Sequence, residues 1–332
     1  MSDDVVRLAH GAGGPAMRDL VARVFLGGAS HPEARRLDDG AVIPFGGRFL
    51  VVSCDAHVVQ PRVFPGGDLG RLAVCGTVND LAVMGATEVL GLTTTFVLEE
   101  GFPLAELAAV RRSMEAAAAE AGAPLLAGDV KVMRRGEVDG LVTSTSGVGV
   151  TDRVIRSDGL RPGDVVVVSG TLGDHGLCVL AARHDLRLQG DLRSDVAPMN
   201  GLVTAALAVG GVRAMKDPTR GGLTAALVEL AAASGVSVRL EEALLPMTAA
   251  ARAAAELLGI DPLVVANEGK VVFGVEPGAV DAVLQALRAH PYGRDAARIG
   301  RVVAGNGEVV LDTGFGTRRL REPDVDPLPR IC

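Results

Sequence analysis

Residues 68–85 form an apolar helical stretch introduced by PGGD, and inside it, in LAVCGTVNDLAVMGA, stands a single carboxylate, Asp80. No other feature constrains the chain as much. A carboxylate among Val78, Leu81, Ala82 and Val83 is expected to be at least partly buried. A buried charge is costly unless a cation or good hydrogen bonds compensate it. A divalent metal held between carboxylates and nucleotide phosphates is one natural compensation; a local hydrogen bond is the other. More acids sit beside small residues: Asp38 and Asp39 in DDGA, Asp55 after FLVVSC, and Asp129 in AGDVK. On spacing alone, helix capping and turn formation explain Asp38, Asp39 and Asp129 better than metal binding does.

The rest of the chain reads as two α+β domains meeting near residue 155. At 332 residues it is long enough for two ordinary cores. A helix is expected from Pro15 to about Leu26, with Leu20, Val21, Val24 and Phe25 on one face. Strands are expected at 49–54, 89–98 and 141–150, and a helix at 103–121. The turn-rich SDGLRPGD, residues 157–164, reads as the junction. Beyond it, strands fit 165–169, 236–240, 271–275 and 299–303. Helices fit 177–182, 202–209, 223–233, 248–258 and 279–290. This gives an N-terminal domain over 1–155, a second over 156–320 and a tail over 321–332. In that tail, EPDVDPLPRIC, three prolines favour an extended chain. From Glu322 onward it could reach roughly 35 Å at about 3.3 Å per residue.

Charge and composition exclude several functions. A net charge of −7 argues against broad binding to nucleic acid, and 3% aromatics without Trp against base-stacking platforms. No apolar run reaches the length of a membrane span, and the N-terminus lacks a signal-peptide pattern, so a cytoplasmic protein is expected. Cys54, Cys75, Cys178 and Cys332 form no CxxC pair, which fits a reducing compartment. The first three lie in apolar runs and read as buried small hydrophobes.

Three further segments could carry chemistry. DPTRGGL sets Asp217, Arg220, Gly221 and Gly222 just before a helix, where backbone N–H groups could hold phosphate; taken by itself, an ordinary loop-to-helix entry is the favoured reading. HGAGG, with Gly11, Gly13 and Gly14, shares that ambiguity, and neither is a Walker A loop. In NEGK, Glu268 could act as a general base. Lys131, two residues after Asp129, could stabilise charge or pass a proton. A surface ion or turn residue is the plainer reading of both. Cys332, at the end of the Pro-stiffened arm, could be a nucleophile or carrier as its thiolate.

Together, HGAGG, DDGAV, PGGDLGRLAVCGTVNDLAVMGA, AGDVKV, DPTRGG, VANEGK and the terminal PRIC resemble one family over nearly the whole chain, His10 to Cys332. It is the HypE family, the carbamoyl dehydratases of nickel–iron hydrogenase maturation. The wider superfamily includes aminoimidazole ribonucleotide (AIR) synthetase, selenophosphate synthetase and thiamine-monophosphate kinase. The resemblance implies a two-domain AIR-synthetase-like fold, with N-terminal strands shared in the β-barrel of a homodimer, a C-terminal α/β sandwich-type domain and an extended tail. It implies ATP, with Mg2+ held by Asp39, Asp55, Asp80 and Asp129, and phosphates or tail near Gly11–Gly14 and Asp217–Gly222. It gives Lys131 and Glu268 to proton removal. The implied reaction converts an S-carbamoyl group on Cys332 to a thiocyanate at the expense of ATP. HypF, the carbamoyltransferase, and HypC with HypD, the iron-assembly complex, are the implied partners. Two other readings remain: a superfamily enzyme acting on a diffusible substrate, and a non-enzymatic scaffold that docks partners by its tail.

Overall fold

A computed structural model describes residues 5–11, 14–186 and 190–323. Cys332, Gly13 and most of the tail therefore lie outside the described residues. The fold is α+β, with two main sheets.

The first sheet has the order β1-β2-β7-β5-β6. Its strands are β1 (Ala41–Phe45), β2 (Arg48–His57), β5 (Glu88–Glu99), β6 (Leu125–Met133) and β7 (Leu141–Thr151). Two short strands, β3 (Val63–Phe64) and β4 (Gly67–Asp68), pair separately. The second sheet has the order β14-β13-β10-β12-β8-β11-β9. It comprises β8 (Val165–Val168), β9 (Val212–Lys216), β10 (Val236–Glu241), β11 (Val272–Val275), β12 (Ala297–Ala304), β13 (Val309–Asp312) and β14 (Thr317–Leu320). The helices are α1 (Pro15–Leu20), α2 (Leu69–Val83), α3 (Leu104–Ala121), α4 (Asp174–Arg183), α5 (Asn200–Val209), α6 (Gly222–Ser234), α7 (Ala249–Leu258) and α8 (Val280–Ala289).

Helix α2 is apolar on all sides because it is buried on all sides, as such a helix must be. Asp68 caps it by accepting from the Arg71 backbone N–H at 2.9 Å. One part of it, including Leu72, Val74 and Val78, packs with the first sheet and α3; Ala82 and Val83 pack with Val167, Met199 and Phe273 of the second half. Gly70 allows the crossing with α3, since a Cβ there would lie 2.2 Å from the Val110 carbonyl oxygen. Asn79 ties the two halves together. Its Nδ2 donates to the carbonyls of Ala197 and Glu268, both at 3.1 Å, and its Oδ1 accepts from the Met199 N–H at 2.7 Å. Each such bond contributes about 1 kcal/mol net, and all three fix Asp80, one residue on.

The first sheet is covered on one face. Along β2, Val51, Ser53 and His57 are buried, whereas Cys54 and Ala56 on the other face are exposed. The expectation of a buried Cys54 is corrected accordingly: it shares the uncovered face, while Cys75 and Cys178 are buried. The expected helix from Pro15 ends as α-helix at Leu20 and continues as a wider π-type turn over Val21–Phe25. Its intended apolar face is not buried, and Val24 and Phe25 are exposed. The segment AGDVK, read as a turn, is part of edge strand β6, paired in parallel with β5 across the α3 connection. No helix among the described residues is long and apolar enough to cross a membrane.

Candidate active site

The chain bends sharply before β1, and there Asp38 and Asp39 part company. Asp38 is neutralised by Arg36 and Arg156, each at 2.9 Å, and holds the segment structurally. Asp39 turns the other way, toward Asp80 on α2 and Asp217 just after β9. One carboxylate oxygen from each of these three lies within 4.8 Å of the others. Ser53 Oγ donates to Asp80 Oδ2 at 2.6 Å. Lys216 Nζ meets Asp39 Oδ1 at 2.5 Å and Glu229 at 3.0 Å. Asp39 Oδ2 is buried and finds no hydrogen-bond partner among the described residues.

The DPTRGG loop and the NEGK segment, read separately in the sequence, are one structure. Asn267 donates from its backbone N–H at 3.0 Å and its Nδ2 at 3.1 Å to the Pro218 carbonyl. Gly221 and Gly222 lie at φ +75° and +61°, and a Cβ on Gly222 would fall 2.6 Å from the Val265 carbonyl oxygen. Only glycine meets both demands. The clamp brings Glu268 beside the acids. Its N–H donates to Asp195 Oδ1 at 3.1 Å, and Asp195 in turn is paired with buried Lys270 at 2.9 Å. Glu268 Oε1 is buried without a hydrogen-bond partner among the described residues.

Electrostatics follow from this crowding. Burial, then Asp217, then Asp55 and Asp39 push Asp80 well above the carboxylate range. Burial and Asp39 push Asp217 up to about 7. Burial raises Asp39 too, opposed by Lys216. Glu268 is raised well above its ordinary value by burial, Asp217 and Asp55, with Arg220 opposing. Asp55 thus stands close enough to act on both Asp80 and Glu268, although it is not one of the three clustered acids. His57, buried beside it with Nε2 at 3.6 Å from Asp55 Oδ2, is lowered by its burial.

These acids bind protons more tightly in the folded chain, so the stability they lend is full below their ordinary values near pH 4 and is lost as pH rises through the folded values. The melting temperature of the cation-free chain, taken relative to an Asp217→Asn variant, should therefore fall between about pH 5 and pH 8. Saturating Mg2+ should flatten that difference. A difference that stays constant with pH in the absence of cation would contradict the assignment.

A cavity of about 550 Å3 opens from Asp39, Asp217 and Arg220, with α6 as one wall and Met17, Arg18 and Glu322 at its border. Arg18 pairs with Glu322. A Cβ on Gly14 would lie 2.7 Å from the Pro323 carbonyl oxygen, so Gly14 lies against the root of the tail. Gly11, just before it, is exposed.

Asp129 and Lys131 are not brought to this cavity within one chain. Through the register, Asp55 opposes Thr145, Thr145 opposes Thr94, and Thr94 opposes Gly128. Alternation then puts Asp129 and Lys131 on the other, uncovered face. They are also three strands away, about 14 Å along the sheet at 4.8 Å per strand. Sequence reading missed Lys216 and Asn267, and it placed Asp217 with phosphate rather than with the acids. The available signal was Asp217's position directly after a short strand, VRAMK, that went unread.

Such a fold, with its buried acids and glycine loop, defines a class. Residues 37–151 match the AIR synthase related protein N-terminal domain, and residues 161–312 the AIR synthase related protein C-terminal domain. Within that class the chain belongs to the carbamoyl dehydratase HypE family. It is 45% identical over 333 residues to the carbamoyl dehydratase HypE of Rhizobium leguminosarum bv. viciae, covering 98% of this chain and 95% of that protein. A solved HypE–HypF complex contains a chain 40% identical, with a TM-score of 0.87, covering 92% of this chain and 99% of that one. A HypE solved in complex with ATP is 39% identical, with a TM-score of 0.83, covering 99% of this chain and all of the other, 100%.

Proposed function

We propose that this chain uses ATP to dehydrate a carbamoyl group carried on the thiol of Cys332, yielding a thiocyanate whose cyano group supplies the iron centre of a nickel–iron hydrogenase. Family membership gives the reaction class. The observation that carries the assignment to this cavity is the meeting of Asp39, Asp80 and Asp217, two of them lining a cavity that Glu322 at the root of the tail borders, with Glu268 close enough to feel Asp217.

An amide oxygen leaves poorly. Phosphorylation by ATP makes it a phosphate leaving group; loss of the two amide protons and of the C–O bond then leaves S–C≡N, with ADP and phosphate as the other products. Glu268, on its rigid frame, is the group we assign to accept a proton from the amide nitrogen. We assign the Gly221 backbone N–H and the Arg220 side chain to holding phosphate; the Gly222 N–H is taken by the Thr219 carbonyl at 2.8 Å. The donor set fits Mg2+: hard carboxylate oxygens, one of them, on Asp39, buried and without a hydrogen-bond partner among the described residues. Asp39, Asp80 and Asp217 would hold it, with Asp55 alongside; bound there, it neutralises charge on the transferring phosphoryl group.

Asp129 and Lys131 enter this scheme from a second copy of the chain. The uncovered sheet face and edge strand β6 favour a homodimer, because Leu126, Val130 and Val132 stand exposed on that edge, where a lone chain would invite pairing. Val132→Glu should weaken self-association about 30-fold, equivalent to about 2 kcal/mol at an interface centre. Sedimentation equilibrium checks this, and an unchanged dimer would move the interface elsewhere.

HypF is the proposed carbamoyl donor and the HypC–HypD complex the proposed acceptor. The test is intact-mass spectrometry of the chain carbamoylated by HypF, then given Mg-ATP, alongside a Cys332→Ala control. The expected result is an adduct that loses the mass of one water only with ATP and is absent in the control. An unmodified Cys332 in the presence of active HypF would favour a diffusible substrate instead. A stable carbamoyl adduct without ATP turnover would favour a scaffold.

A further inference from the structure

Lys216 is not an ordinary surface lysine. It is the last residue of β9, its side chain is 11% exposed, and two carboxylates from different parts of the chain hold it: Asp39 ahead of β1 and Glu229 on α6. Its ammonium takes Asp39 Oδ1, while Asp39 Oδ2 is buried without a hydrogen-bond partner among the described residues. The two oxygens of one carboxylate therefore have different environments. A carboxylate with both oxygens free can chelate a cation through both; one whose first oxygen is held by an ammonium offers only the second.

We propose that Lys216 is a positioning residue that restricts Asp39 to single-oxygen coordination and so sets the cation preference of the site. This rests on the reading that Asp39, Asp80 and Asp217 hold a divalent cation. Mg2+ and Mn2+ suit an octahedral shell of single-oxygen ligands, whereas the larger Ca2+ takes more oxygens and accepts two from one carboxylate. Lys216 thereby disfavours Ca2+. Glu229 fixes the ammonium from the far side and keeps it from swinging off Asp39.

The test uses the full chain with Mn2+ as the probe, read by electron paramagnetic resonance, alone and with a non-hydrolysable ATP analogue. Ca2+ and Mg2+ serve as competitors. In the unaltered chain Ca2+ should displace Mn2+ poorly. In Lys216→Met the Ca2+-to-Mg2+ competition ratio should rise at least about 10-fold. Glu229→Gln should move it the same way by less, and Lys216→Arg, which keeps the cation, should restore it. A loss of folding alone would change both competitors together and not their ratio, and Glu229→Gln gives a second reading where Lys216→Met fails to fold. An unchanged ratio in both variants would overturn the proposal while leaving the cation site intact. Failure of the unaltered chain to bind Mn2+ under either condition would overturn the cation site itself, and the proposal with it.

Discussion

Glu268→Gln is expected to slow ATP-dependent dehydration by about a hundred- to ten-thousand-fold, the range for losing a positioned general base, while ATP binding and folding persist. The frame around Glu268 does not depend on its carboxylate. Its N–H donates to Asp195, its carbonyl accepts from Asn79, and the buried Lys270–Asp195 pair stands behind it. Gln fills the same space and leaves those bonds in place. It removes the ability to take a proton. Burial and the nearby Asp217 and Asp55 keep the Glu268 carboxyl protonated far above the usual range when no cation is present. A divalent cation among the acids cancels part of that repulsion, so Glu268 becomes a base once Mg-ATP is in place. Single-turnover rates against pH should show an acid limb well above the ordinary glutamate value near 4.3, and that limb should vanish in Glu268→Gln. A variant that keeps its rate within a few-fold would place the base elsewhere.

What could be read from the sequence here was what a short window contains. Asp80 stood out because a carboxylate inside an apolar helix has few explanations, and the helix proved buried on all sides. NEGK and DPTRGG were each visible, but nothing local announces that Asn267 bonds the Pro218 carbonyl, 49 residues away. Long-range contact built the site, so its membership was only partly legible. Strand β6 was hidden by Gly128 and Asp129, which read as a turn. An edge strand exposed along most of its length carries no alternation to reveal it. Cys54 was misassigned for a related reason. In FLVVSC both faces of β2 carry apolar residues, so the covered face cannot be chosen without the register, and a shift of one residue exchanges the two. Lys216 drew no reading because short β9 went unrecognised.

Asp80→Asn should separate stability from activity in opposite directions. Asp80 is the member of the cluster most strongly opposed by its neighbours: burial first, then Asp217, Asp55 and Asp39 all disfavour its charge. Asn is nearly isosteric, and its side-chain carbonyl can still accept the Ser53 hydroxyl hydrogen bond made at 2.6 Å. What is lost is a negative charge that the cation-free fold tolerates poorly. As pH rises above the ordinary carboxylate range near 4, relief of that repulsion should stabilise the cation-free variant and raise its melting temperature relative to the unaltered chain. The same charge is what a bound cation requires. The variant should therefore lose most of the thermal stabilisation that Mg2+ gives the unaltered chain, since a ligand stabilises only by its affinity for the folded state. Dehydration should fall by about a thousand-fold or more, the scale of removing a principal electrostatic element from a charged transition state. Differential scanning calorimetry with and without Mg2+, paired with the intact-mass assay, measures both. A variant that is destabilised without cation and still responds to Mg2+ would show that Asp80 is a structural acid held by Ser53. A variant that gains stability, ignores Mg2+ and fails to turn over would show that the strain stored at the end of α2 exists for the cation.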